Sequence, residues 1–146
     1  MIEIRKASPA DAAVTAKLAQ SLWPHHEAAE LEAEFAPILL DANAAVFLAY
    51  KEDFPIGFAQ CQLRHDYVEG TDSTPVGYLE GIYVTDGFRK SGIARNLLAA
   101  CENWAKEKGC TEFASDCELT TAESLRFHLK VGFEEANRII CFTKKL

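Results

Sequence analysis

The first residue here with chemistry to offer is a carboxylate set inside an apolar run. In Tyr78-Leu79-Glu80-Gly81-Ile82-Tyr83-Val84, Glu80 is the one charged side chain. Burying it unpaired is costly, so the position calls for a cationic partner or a solvent-lined cleft. A few residues on comes Arg89-Lys90-Ser91-Gly92-Ile93-Ala94, at the head of a stretch whose apolar positions Ile93, Leu97, Cys101 and Trp104 share one helical face. A strand that feeds a basic, glycine-containing turn at a helix start presents free main-chain N–H groups at the positive end of the helix dipole. Such a turn can hold a phosphate or pyrophosphate. It lacks the Gly-Lys-Ser/Thr ending of a P-loop and the GxGxxG of a dinucleotide turn. Composition alone leaves anion binding and an ordinary basic turn both open.

Periodicity indicates the elements that must position these residues. Ile2 and Ile4 alternate with Glu3 and Arg5 as in a short strand, and Ser8-Pro9-Ala10-Asp11 supplies the cap and first-turn proline of a helix with Val14, Leu18 and Leu22 inside. Trp23-Pro24-His25-His26 interrupts it, because proline cannot continue a helix without loss of a hydrogen bond. A second helix is expected from about Glu27, burying Leu31, Phe35 and Ile38 or Leu39. Ala44 to Tyr50 and Ile56 to Arg64 read as an antiparallel hairpin, and His65 to Val76 as a polar loop of a length that is often functional. There follow a strand from Gly77 to Val84, a helix from Ile93 to about Lys108, a short strand from Thr111 to Ser115, a helix from Thr121 to Val131 and a last strand from Ala136 to Phe142. This order implies an α+β class, with a mainly antiparallel sheet and helices packed on its faces.

The 146 residues, 49% of them apolar, suffice for one packed domain and are too few for two ordinary ones, so a single domain over 1–146 is expected. Its 22 acids exceed its 15 lysines and arginines, and the net charge of -7 argues against nucleic acid or an anionic membrane as the main partner. The acids are clustered. Leu18 to Tyr50 holds Glu27, Glu30, Glu32, Glu34 and Asp41, and His65 to Phe88 holds Asp66, Glu69, Asp72, Glu80 and Asp86, with no Lys or Arg in either window. Solvated surface is the plain explanation of such runs. The charged start leaves no apolar core for a signal peptide, and no stretch approaches the roughly 18 apolar residues of a membrane span. A soluble, cytoplasmic protein is expected. Cys61, Cys101, Cys110, Cys117 and Cys141 are odd in number, form no CxxC pair and mostly lie in apolar runs, so they read as packed, reduced thiols. No metal site is expected.

Arg89-x-x-Gly92-x-Ala94, following the strand Leu79 to Val84, resembles the pyrophosphate signature of the GCN5-related N-acetyltransferases (GNAT). Thr121-x-x-Ser124-x-x-Phe127-His128-x-Lys130-x-Gly132-Phe133 is similar to the helix and Gly-Phe turn near that family's C-terminus, in the same order. Ser21 to His26, Tyr78 to Val84 and Cys110 to Asp116 further resemble the aminoglycoside 6'-N-acetyltransferases, which use acetyl-CoA as donor. The resemblance implies the GNAT acyltransferase fold, a mixed, mainly antiparallel central sheet with helices on both faces.

For the donor, it implies that the main chain of Ile82, Tyr83 and Val84 pairs with the pantetheine arm like an added strand. The turn Arg89, Lys90, Ser91, Gly92, Ile93 and Ala94, with Arg95 just beyond, would wrap the pyrophosphate. Thr121 stands where Asn is common; its hydroxyl can bind the donor or cap a helix. For the acceptor it implies Trp23, His26, Tyr67, Glu80 and Asp116, with Asn137 at a position that is sometimes acidic. Carboxylates pair with ammonium groups and aromatic faces attract cations, which suits a polycationic aminosugar. Plainer roles stand beside these: Trp23 stapling two helices, His26 on the surface, Tyr67 as a loop aromatic. Glu80 is expected to take the amine's proton, directly or through a water, and His128, where many relatives carry Tyr, to protonate the departing thiolate or else simply to pack in its helix. Transfer would be direct, with no acetyl-enzyme. A homodimer is also implied, in which Ile139 to Phe142 either forms the interface or completes the sheet. Acetylation of another amine, such as a polyamine or a protein terminus, and a silent acyl-CoA-binding module are the competing functions.

Overall fold

Ile2–Lys6 forms β1 as its alternation predicts, and the Ser8 N–H and hydroxyl both donate to the Asp11 carboxylate at the start of the first helical segment. That segment opens as a 3-10 turn, Pro9–Asp11, before α1 (Ala12–Leu22). The chain breaks at Trp23 and resumes as α2 (Ala28–Ile38), which buries Leu31 and Phe35. In the computed structural model, which describes residues 1–146, β2 (Ala44–Lys51), β3 (Phe54–Arg64), β4 (Val76–Val84), α3 (Ile93–Glu107), β5 (Phe113–Ala114) and α4 (Ala122–Lys130) follow. The five strands lie in chain order, β1-β2-β3-β4-β5. Neighbours from β1 to β4 are antiparallel, and β5 joins β4 in parallel through only Gly77 opposite Phe113 and Tyr78 opposite Ala114.

The sheet has a core on each face. On one side α3 sets Ile93, Leu97, Leu98, Cys101 and Trp104 against Ala45, Ala59, Cys61 and Leu79, with Phe127 of α4 and Phe133 packed at its margin. On the other, α1 and α2 contribute Ala16, Leu18, Ala19, Leu31 and Phe35 over Val46, Leu48 and Phe58. The α+β class and helices on both faces are as expected.

Three expectations are corrected. Ala136 to Phe142 forms no strand: a strand needs a neighbour, no edge of the chain's own sheet pairs with this segment, and Ile139, Ile140 and Phe142 are exposed. The strand expected from Thr111 to Ser115 shortens to two residues because its parallel pairing ends at Ala114. Cys61, Cys101 and Cys110 are buried as packing groups, but Cys117 and Cys141 are exposed. The segment expected as a loop from His65 to Val76 is one as far as Pro75, where β4 begins one residue earlier than expected, and it is a tethered loop. Val68 is buried against Val76 and Tyr78, and the Glu112 carboxylate accepts from the Asp72 N–H at 2.8 Å and from the Ser73 hydroxyl. Those bonds hold the Glu112 carboxyl below its usual range.

Candidate active site

Glu80 owes its direction to an irregularity in β4. Gln60 lies opposite Gly81 and Cys61 opposite Leu79, so Glu80 is the extra residue of a β-bulge. Strict alternation would put Glu80 on the α3 face with Ile82 and Val84; the bulge turns Glu80 and Gly81 together toward α1 and α2. There Glu80 meets the cation that its apolar setting called for. Arg64, at the end of β3, donates Nε–H to Oε2 at 3.2 Å and Nη2–H to Oε1 and Oε2 at 3.0 Å. The Glu80 side chain remains 20% exposed, so it is paired without being sealed from the cleft.

The same guanidinium stacks on Tyr78, 3.4 Å from the ring centroid, and the Tyr78 hydroxyl donates to Asp116 Oδ2. Burial first, and then the bond to Asp116, raise the Tyr78 hydroxyl above its ordinary range, so it remains a donor at neutral pH. Glu80, Arg64, Tyr78 and Asp116 thus form one continuous network across β3, β4 and the end of β5. Beside it opens a cavity of about 300 Å³ lined by Trp23, His26, Leu31, Glu34, Phe35, Ile38, Gln60 and Glu80. Trp23 packs so tightly on β4 that a Cβ on Gly81 would come within 2.9 Å of its ring, and it meets Phe58 edge-on at 6.2 Å. It therefore both braces the helix pair and walls the cleft. His26 is exposed, with Nδ1 3.4 Å from Glu30 Oε1. Glu30 and Glu34 continue its stripe along α2, placing a negative edge on the cavity.

Tyr67 and Asn137 are not brought into this cavity. Tyr67 is 77% exposed, bonds Glu69 at 3.3 Å and lines a separate hollow of about 330 Å³ in the His65–Thr74 loop. Asn137 donates to Glu69 at 2.8 Å, tying the C-terminal segment to the same loop.

The other side of β4 is built differently. Ile82, Tyr83 and Val84 pair with Ala59, Phe58 and Gly57 of β3, while β5 has already left the sheet after Tyr78. From Leu79 to Val84 the far edge of β4 has no strand neighbour. At its end the chain turns into α3, whose first main-chain bond runs from Asn96 N–H to the Gly92 carbonyl, leaving the N–H groups of Ile93, Ala94 and Arg95 directed out of the helix. Gly92 adopts φ 84°, a left-handed conformation that favours glycine, and Lys90 precedes it at φ 64°. Arg89 does not extend freely into the turn. It donates Nε–H to the Val84 carbonyl at 2.8 Å and pairs with Asp86 at 3.1 Å, so its main effect is to fold the turn back on β4. Ser91 bonds the Phe88 carbonyl, and Arg95 reaches the Lys130 carbonyl at 3.4 Å, linking α3 to α4. Thr121 is the N-cap residue of α4, and its side chain makes no cap bond, which leaves the hydroxyl available.

His128 lies in α4 between Phe127 and Phe133, with both ring nitrogens engaged. Nδ1 is 2.7 Å from the Ser124 carbonyl, an acceptor only, so Nδ1 carries a proton. Nε2 faces Ser115 Oγ at 2.8 Å. Both nitrogens therefore have partners within the chain. Ser115, Arg64 and Tyr78 escape sequence reasoning because Ser115 and Tyr78 look like ordinary strand residues and Arg64 like a strand-end charge; only the bulge and the fork between β4 and β5 give them work.

Comparison with known proteins agrees with this geometry. The acetyltransferase (GNAT) family model matches residues 13–133. An aminoglycoside N(6')-acetyltransferase type 1 from Stenotrophomonas maltophilia is 46% identical over 98% of this chain and 93% of its own. The structure of AAC(6')-Iy in complex with the bisubstrate analogue CoA-S-monomethyl-acetylneamine superposes with a TM-score of 0.95 at 38% identity, covering 100% of this chain and 99% of that one. The 6'-N-acetyltransferase AAC(6')-Ih from Acinetobacter baumannii does so at 0.93 and 36%, covering 100% and 99%. A splayed β4 edge ending at a free-amide turn, opposite a carboxylate-lined cleft, accompanies likeness over the whole chain: this protein belongs to the acetyltransferase (GNAT) family, among the aminoglycoside N(6')-acetyltransferases.

Proposed function

We propose that the protein transfers the acetyl group of acetyl-CoA to the 6'-amine of aminoglycoside antibiotics, conferring resistance, by direct transfer with both substrates bound. The carrying observation is the division at β4: one face presents Glu80, Glu34 and Trp23 to a cation, while the free edge and the α3 amides suit an anionic, strand-like donor. Acetyl-CoA lies along Ile82, Tyr83 and Val84 with its pyrophosphate on the Gly92–Arg95 amides and Lys90 beside them, and Thr121 offers a hydroxyl from α4. The acceptor occupies the cavity beside Glu80, with Asp116 nearby and His26 at its edge. Tyr67 and Asn137 contact only the outer part of a larger acceptor, from the adjoining loop. An ammonium has no lone pair, so the amine first gives up a proton, which Glu80 accepts directly or through a water. A main-chain N–H of the 82–84 segment polarises the thioester carbonyl.

The protein works as a single domain, in the cytoplasm, as a homodimer. Exposed Ile139, Ile140 and Phe142 support the dimer, since a strand-forming apolar segment without a partner invites one. No helix is long and apolar enough to cross a membrane, and the acidic surface supports a small cationic partner over nucleic acid.

Release of CoA thiol, measured with aminoglycosides, polyamines and a peptide N-terminus as separate acceptors, tests the assignment. Turnover confined to the aminoglycosides is expected; turnover only with the other amines, or CoA binding with none, would overturn it. The donor half has its own test. Gly92→Val forces a β-branched residue into a left-handed conformation, at a cost of about 1–2 kcal/mol or a displaced turn. The KM for acetyl-CoA should rise roughly tenfold, as that energy implies, with the aminoglycoside KM unchanged in steady-state assays.

A further inference from the structure

The division of the sheet continues one residue past the fork. Phe113 packs on the α3 side with Phe133, Ala114 packs with Tyr78 on the other, and Asp116 takes the Tyr78 hydroxyl. Alternation therefore sends Ser115 to the α3 and α4 side, where its Oγ lies 2.8 Å from His128 Nε2. Ser115 is thus the first residue beyond the β4–β5 pairing, and neighbouring side chains there point to opposite faces: Asp116 toward the acceptor, Ser115 toward the donor. A donor held by its phosphates at the α3 amides and running back along the free edge of β4 points its thioester end toward this fork.

We propose that Ser115 delivers the proton to the departing CoA thiolate and that His128 acts through it as a positioning and proton-holding residue. This rests on the acetyltransferase assignment above. The Ser124 carbonyl fixes one proton on Nδ1 in either charge state of the ring, so only Nε2 changes on protonation. With Nε2 neutral, the Ser115 hydroxyl donates to it. With Nε2 protonated, the bond reverses: Nε2–H donates to Ser115 Oγ, and the hydroxyl hydrogen, whose other acceptor within reach is the Asp116 carbonyl at 3.5 Å, is freed for the donor's sulfur. When the amine nitrogen has bonded to the acetyl carbon and the carbon–sulfur bond breaks, that hydrogen passes to sulfur. Oγ then takes the Nε2 proton, leaving a neutral imidazole that solvent reprotonates. The proton lost by the acceptor amine and the one gained by the thiolate balance over the cycle, with water as the only exchange partner. The rings of Phe127 and Phe133, 5.9 and 5.1 Å from the imidazole, hold it in register.

Single-turnover acetyl transfer by the full chain, with acetyl-CoA affinity measured by calorimetry, tests the relay. Ser115→Ala should slow transfer at least about 100-fold, the usual scale for a positioned acid, with acetyl-CoA affinity and thermal midpoint unchanged, and Ser115→Thr, which keeps a hydroxyl, should restore most of the rate. His128→Ala should show a similar loss, and the double variant should be no slower than the slower single one, because the two act as a unit. In the free protein, the imidazole 15N spectrum should report the proton on Nδ1, and the Nε2 signal should shift in Ser115→Ala. Full-rate transfer by Ser115→Ala, or multiplying penalties in the double variant, would overturn the relay. Absence of transfer by the wild-type protein with every acceptor would instead overturn the acetyltransferase assignment, and the relay with it.

Discussion

Replacing Glu80 by Gln should lower kcat/KM for the aminoglycoside about 100-fold or more while the KM for acetyl-CoA stays within about twofold. The scale is that of losing a positioned proton acceptor. The amide is close in shape, so the β4 bulge and the stacking of Arg64 on Tyr78 persist. Two things change. The cleft loses the group proposed to take the amine's proton, and the Arg64 guanidinium, formerly neutralised at 3.0 Å, faces an incoming cation unpaired. The first lowers kcat and the second raises KM for the acceptor, so steady-state kinetics in both substrates separate them. A fall in kcat alone identifies Glu80 chiefly as base; a rise in acceptor KM alone identifies it as a binding anion. Unchanged values of both would remove Glu80 from the reaction.

Phe58→Ala should act through architecture. Phe58 is completely buried on β3 and meets Trp23 edge-on at 6.2 Å and Phe35 at 6.3 Å, so one ring holds both the helix break and α2 against the sheet. Truncating a buried Phe costs about 3–5 kcal/mol. For a chain of this size, that lowers the thermal midpoint by roughly 10 °C or more. The same loss frees Trp23 and the Leu31–Ile38 wall of the cavity, so acceptor KM should rise more than acetyl-CoA KM in protein that remains folded at the assay temperature. Calorimetry and kinetics on one preparation check both halves; an unchanged midpoint, or equal losses for the two substrates, would contradict the bracing role.

These expectations rest on features legible in the sequence to different degrees. Helix starts and strands announced themselves through periodicity and punctuation: Ser8-Pro9 before α1, Pro24 at the break, Gly92 before α3. The need of Glu80 for a cation was legible from its apolar neighbours, but not that Arg64 meets it, because that pairing depends on a bulge with no signature in residue type. Arg89 was legible as added charge on the turn, but not its direction, which the Val84 carbonyl and Asp86 set. His128 left two roles open, thiolate donor or packed helix residue, because sequence does not show that the Ser124 carbonyl and Ser115 lie against its two nitrogens. Ala136 to Phe142 has the composition of a strand, but pairing is a property of neighbours.

The acidic windows sharpen in the same way. Glu30 and Glu34 share the His26 stripe of α2, and Glu34 lines the cavity with Glu80. Glu32, two residues off that stripe, lies on solvated surface. Charge attraction to a polycation therefore concentrates in a few carboxylates around one cleft, opposite the basic turn before α3.

In the proposed reaction acetyl-CoA gives its acetyl group to a 6'-amine held beside Glu80. Its most direct test is a matched pair of aminoglycosides that differ only in carrying an amine or a hydroxyl at the 6' position, incubated with the full chain and acetyl-CoA. With the 6'-amino compound, CoA thiol should appear in equal amount with a product one acetyl group heavier, and NMR should place that group on the 6' nitrogen; the 6'-hydroxy compound should release no CoA above background. Equal turnover of the two, or acetylation of the 6'-amino compound at another nitrogen, would contradict the account.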